Sequence, residues 1–190
     1  MKRNFLALDL EMNQPSGRVI QVGVAVGNRV DGVLFSKSWF LDPEEPIDEG
    51  ITQLTGITDE DVTERSVTHA VLADELGSII RGNEVFVNPV QWGCGDVVVL
   101  RNELRARGIE FPFFGRRELD VKQICVYNAL SRGQKTNGGL SSFMGRHGLR
   151  FQGEAHRADV DARNTLSFFL ALLERQSNLE GLLQTAKEVE

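Results

Sequence analysis

Residues 4–13 read NFLALDLEMN, an apolar run of the kind that makes a buried β-strand, closed by two carboxylates one residue apart. Strand side chains alternate faces, so Phe5, Ala7, Asp9 and Glu11 share one side while Leu6, Leu8, Leu10 and Met12 share the other. The even side is uniformly apolar and belongs in a core. The odd side begins apolar and ends in Asp9 and Glu11, as a strand does when it runs from the interior into a crevice. Two unit charges about 4 Å apart repel by roughly 4 kcal/mol at an effective dielectric of 20, a large share of a domain's stability. Either the strand ends at Asp9 and leaves both acids in water, or something positive binds there. Hard carboxylate oxygens then point to Mg²⁺ or Mn²⁺.

Downstream, RVIQVGVAVGN and RVDGVLFSKSWFL are rich in Val, Ile and Phe, and GNR between them reads as a hairpin turn. Three consecutive strands imply an antiparallel meander. DPEEPIDEG is a proline- and acid-rich loop, ITQLTGITDEDV carries turn and helix-start signals, and SVTHAVLADELGSIIRG has the helical period. EVFVNPV returns to strand, DVVVLRNELRARG reads as helix up to Gly108, and RRELDV as a short strand. Helices follow over KQICVYNALSRG, GLSSFMGRHG and, most clearly, HRADVDARNTLSFFLALLERQ. The pattern predicts an α/β fold, a mixed sheet with helices packed on it. With 190 residues and no linker, one domain over 1–175 is expected, with a short polar helical tail over 176–190.

A hydrophobic content of 41% with no apolar run near the roughly 20 residues of a membrane span fits a soluble globular protein and no membrane partner. The basic start lacks a signal-peptide cleavage site and reads as mature structure. Cys94 and Cys125 lack C-x-x-C spacing, which argues against a disulfide framework or a zinc site and for a reduced, cytoplasmic setting. A net charge of −6 argues against a broad nucleic-acid surface, unless part of the acidity belongs to a metal site. Arg146, Arg150 and Arg157 crowd one short span, as phosphate contacts or as a solvated face.

Two further clusters carry chemistry. Asp96 in WGCGD stands where a helix opens, which suits an N-cap as well as a reactive acid, and Trp92 beside it suits a core as well as a site. In HRADVDARNT, His156 precedes the last long helix. Asp159 and Asp161 fall on opposite borders of its apolar stripe, so periodicity does not choose between them.

D-x-E ending the first strand, a central Asp opening a helix and H-x-x-x-x-D on a late helix form an ordered set. In this the sequence resembles the DEDDh 3′–5′ exonucleases of the proofreading-exonuclease superfamily. The matches are Asp9 and Glu11 in LDLEMN, Asp96 in WGCGD, and His156 with Asp161 in HRADVDA, supported by LTGITDEDV and GGLSSFMGRHGL. WGCGD and DARNT are similar to the W-G-x-x-D branch that trims RNA. Ala158 and Val160 depart from that branch, where Gly and a further Asp are common.

The resemblance implies an RNase H-like, mixed five-stranded sheet and two divalent cations, Mg²⁺ or Mn²⁺, held by Asp9, Glu11, Asp96 and Asp161. It implies His156 as general base and release of nucleoside 5′-monophosphates from the 3′ end of single-stranded RNA, favoured over DNA. By family position Met12 and Leu54, with Trp92 of the second motif, are candidates for packing against the terminal bases. A homodimer is left open. The rival readings are a single-strand DNA or short-oligonucleotide exonuclease, a small-molecule phosphoesterase, and a catalytically silent RNA-binding or regulatory module of the same fold.

Overall fold

The computed structural model describes residues 3–111 and 114–188, with side chains through 180. Strands β1 (Phe5–Met12), β2 (Val19–Asn28) and β3 (Gly32–Phe40) form the expected meander. Helices α1 (Glu49–Thr55), α2 (Asp59–Arg65) and α3 (His69–Gly82) follow. Then come β4 (Val90–Gln91), α4 (Asp96–Ala106), β5 (Leu119–Asp120), α5 (Val121–Ser131), α6 (Leu140–Arg146) and α7 (Ala158–Glu188). The sheet order is β3-β2-β1-β4-β5. β1 pairs antiparallel with β2 and parallel with β4, so it occupies the middle.

That central place explains the apolar run ahead of Asp9. Leu6, Leu8 and Leu10 pack under α3 and α4 with Leu72, Leu76, Leu100 and Leu104. Ala7 faces the other way, onto a cluster built by α5, α6 and α7 around Val121, Phe143, Ala162, Leu166 and Phe169. A strand covered on both faces has no polar side to show, and β2 is likewise buried along all ten residues. Burying each such leucine contributes on the order of 2 kcal/mol. A third, smaller cluster of Ile20, Phe40, Ile47, Ile57 and Val62 seats α1 and α2. Among the described residues no helix is long and apolar enough to cross a membrane.

Three sequence readings are corrected. The hairpin turn lies at residues 29–31, two positions beyond GNR, because Asn28 closes it by accepting the N–H groups of Val30 and Asp31 at 2.9 and 3.0 Å. EVFVNPV forms no full strand. A single bridge joins Asn4 to Val85, and regular pairing is confined to Val90–Gln91, since Pro89 has no N–H to give a ladder. The polar tail expected from residue 176 onward is no separate helix; α7 runs unbroken from Ala158 to Glu188.

Candidate active site

β4 stops at Gln91 while β1 runs on beside it through Asp9 and Glu11, and there lies a pocket of about 360 Å³. Asp9, Glu11, Trp92, Leu140, His156 and Asp161 are among its lining residues. Both carboxylates of the first motif therefore lie where the covered central strand leaves the core. Glu11 is only 9% exposed, and a register shift follows between it and Met12. Such irregularities are common where a strand must aim a side chain at a site.

The start of α7 is placed by two residues of β2. Gly23 lies across from Asp9, and a methyl group there would come within 2.0 Å of the Ala158 carbonyl carbon, so only glycine lets the helix approach this closely. Gln21, across from Glu11 and 1% exposed, accepts the Ala158 N–H at 2.9 Å through its side-chain oxygen. This satisfies one of the N–H groups that a helix start leaves without an intrahelical partner. One turn on, Asp161 faces the pocket, and its Oδ2 accepts the backbone N–H of His156 at 2.7 Å. His156 sits just ahead of the helix at φ 63, a conformation that side-chain-bearing residues adopt at a cost of about 1–3 kcal/mol and that recurs at functional sites. Its ring is exposed at the pocket.

The acids act on one another. Burial pushes the Asp9 carboxyl well above its usual range, and the charges of Asp96, Asp161 and Glu11 push it further. Burial, then Asp161 and Asp96, lift Glu11 from 4.5 to about 7, while Arg157 pulls it back. Asp96 rises from 3.8 to about 6 through burial and the nearby Glu118. Asp161 rises through burial, partly offset by the His156 N–H. The protein supplies too little positive charge to balance this cluster. One ligand atom each from Glu11, His156 and Asp161 lies within 4.8 Å of the others, a group able to hold a metal ion. Two carboxylates and one imidazole make up that group, and the Asp9 carboxylate lines the same pocket, an oxygen-rich set that suits Mg²⁺ or Mn²⁺.

Asp96 does not line the pocket, yet its charge reaches Asp9 and Glu11. Nor is it the cap of α4: Gly95 holds that position at φ 120, with no side-chain cap bond, and Asp96 is the first helical residue. Asp161 rather than Asp159 joins the cluster, the choice periodicity left open. Trp92 lines the pocket while its ring packs on Phe143 at 5.4 Å and Phe168 at 6.3 Å, so it is wall and core at once. Met12 packs against the α3–α4 cluster, and Leu54 is exposed on α1; neither lines the pocket. Sequence reasoning passed over Gln21, Gly23, Phe151 and Glu118. Of these Gln21 carried a signal, a lone amide in a run of valines.

Among known families, the model described as Exonuclease (RNase_T) matches residues 6–169. Among curated proteins none matches the sequence. The nuclease domain of 3′hExo, a DEDDh family member bound to rAMP, superimposes with a TM-score of 0.77 at 14% identity, covering 92% of this chain and 93% of that one. Cell-death related nuclease 4 (CRN-4) gives 0.78 at 16% identity, over 90% of this chain and 64% of that one. E. coli Exonuclease I in complex with a dT13 oligonucleotide gives 0.73 at 17% identity, over 96% of this chain and 44% of that one. The chain thus spans less than half of Exonuclease I, and at these identities the likeness is one of fold.

Proposed function

The chain belongs to this exonuclease family and is a nuclease, and from that premise we propose that it removes nucleoside 5′-monophosphates from the 3′ end of single-stranded nucleic acid, RNA in preference to DNA. One observation carries the reading: Asp9 and Glu11 of β1 and Asp161 of α7 line one pocket with the exposed His156, and burial, then the charges of Asp96 and Asp161, raise both β1 acids. In this reading Asp9, Glu11, Asp96 and Asp161 hold two divalent cations. When bound, such ions lower the pKa of a water and offset the charge that develops at the reacting phosphorus.

The chain's own groups do the rest. His156, within 4.8 Å of Glu11 and Asp161 by their ligand atoms, takes the proton of the attacking water. The bond from its backbone N–H to Asp161 and its left-handed conformation hold the imidazole at the mouth of the pocket. Trp92 and Leu140 offer an apolar wall for the terminal base, since base stacking tolerates any sequence. The preference for RNA rests on the likeness of WGCGD and DARNT to the RNA-trimming branch, and 3′hExo with its rAMP is consistent with it. Incubation with 5′-labelled RNA and DNA 12-mers, with and without Mn²⁺, tests it. A metal-dependent ladder shortening from the 3′ end, faster on RNA, is the expected product. A ladder from DNA alone overturns the preference, and intact oligomers with retained binding overturn the activity.

A further inference from the structure

A second cleft of about 380 Å³ lies outside the catalytic pocket, between the free edge of β3, the segment ahead of α7, and α7 itself. Its polar lining is Ser36, Arg150, Gln152, Arg163, Asn164 and Ser167. The two cavities share a wall. Phe151 and Ala155 face the catalytic pocket, while Arg150 and Gln152 of the same segment face the cleft. On α7, Asp161 belongs to the first and Arg163 to the second.

The cleft is built on a fixed floor. Asn164, 2% exposed, accepts the Gln152 N–H at 2.9 Å and donates to the Gln152 and Val160 carbonyls at 2.9 and 2.8 Å. Neither Arg150 nor Arg163 forms an ion pair among the described residues. Arg163 makes only long bonds, 3.3 and 3.4 Å, to Gln152, which leaves most of its five N–H donors free. The distribution of charge favours this side of the molecule. Residues 42–84, which contain α1 to α3, carry twelve acidic against two basic side chains, whereas residues 116–175 carry six acidic against ten basic. A polyanion leaving the catalytic pocket is repelled on the first side and attracted on the second.

We propose that the Arg150–Arg163 cleft binds backbone phosphates of the substrate strand upstream of its 3′ end. The assignment rests on the exonuclease reading and adds the route the strand takes. Guanidinium groups suit phosphate oxygens through paired N–H donors. Phosphate contacts of this kind strengthen binding without reading the base or the sugar.

The test uses the full chain and fluorescence anisotropy in EDTA with labelled single-stranded 12-mers of RNA and DNA. Steady-state hydrolysis of the same 12-mers and of a dinucleotide is then measured with Mn²⁺. For R150A/R163A, affinity for the 12-mers falls about tenfold, and the slope of log K against log salt drops by about 1.4, the value for two phosphate contacts on a single strand. RNA and DNA lose alike, KM rises for the 12-mer while the dinucleotide value stays, and R150K/R163K restores most of the slope. Unchanged 12-mer affinity, or equal losses on both lengths, overturns the proposal. A wild-type protein that binds the 12-mer through these arginines yet hydrolyses neither length leaves the cleft standing and overturns the catalytic reading instead. A wild-type protein that binds no 12-mer overturns both.

Discussion

The acidic cluster makes the metal-free protein less stable at neutral pH than at mildly acidic pH, opposite to the usual trend for a carboxylate in an ion pair. Glu11 moves from 4.5 to about 7 on folding and Asp96 from 3.8 to about 6. A raised carboxylate holds its proton in the folded chain at a pH where the unfolded chain has lost it. Unfolding then releases protons, and stability falls as pH rises from the unfolded pKa to the folded one. At 1.36 kcal/mol per pKa unit, Glu11 alone accounts for a loss of about 3 kcal/mol between pH 4.5 and 7, and Asp96 for a similar loss between pH 3.8 and 6. The Asp96 charge is itself one cause of the Glu11 shift, so the two overlap and together lie between about 3 and 6 kcal/mol. For a chain of this size, 3 kcal/mol corresponds to roughly 6–12 °C in Tm.

Calorimetry or circular dichroism melts in EDTA at pH 5 and pH 8 measure this directly. Glu11→Gln removes the Glu11 share of the slope and melts higher than wild type at pH 8. His69 opposes the trend, because burial lowers its pKa and its contribution to stability is lost as pH falls; it is common to both proteins and cancels in their difference. Glu45, Asp61 and Glu75 are lowered, so their contributions vanish only below the window. Mn²⁺ at about a hundred times its Kd restores about 2.7 kcal/mol to wild type at pH 8. A wild-type Tm that is flat or rising from pH 5 to pH 8 in EDTA, or an unchanged slope in Glu11→Gln, refutes the reasoning.

Two further outcomes follow from the placement of α7. His156→Asn removes the proton acceptor but keeps a residue that tolerates the left-handed backbone. Turnover of an RNA 12-mer falls by about 10²–10⁴ while Tm stays or rises, and a Tm loss of several degrees contradicts the strain at φ 63. Gly23→Ala forces a methyl against the Ala158 backbone at 2.0 Å, which costs about 1–3 kcal/mol of stability and moves Asp161 from Asp9. Mn²⁺ titration by calorimetry then shows weakened binding, and unchanged affinity would mean that this contact does not set the cluster.

How much of this is legible in the sequence depends on whether a feature is local. The buried central strand is legible because both of its faces are written in eight consecutive residues, and α3 because its stripe repeats every turn. β4 is not. With two residues and a proline before it, its pairing depends on the neighbouring strands rather than on its own composition. The same distinction divides the site. Asp9, Glu11 and His156 announce themselves by order and type, whereas the choice of Asp161 over Asp159 lies in a contact between residues 23 and 158. Periodicity reports which helix face is apolar but not how near the helix comes to the sheet. That distance is set here by a missing side chain, which no hydropathy pattern records. Gln21 acts in the same place for the same reason: its amide looks like a flaw in a valine strand until the N–H of Ala158 supplies its partner. The two β2 positions that the hydropathy pattern hides are thus the ones that bring the acid of the last helix to the acids of the first strand.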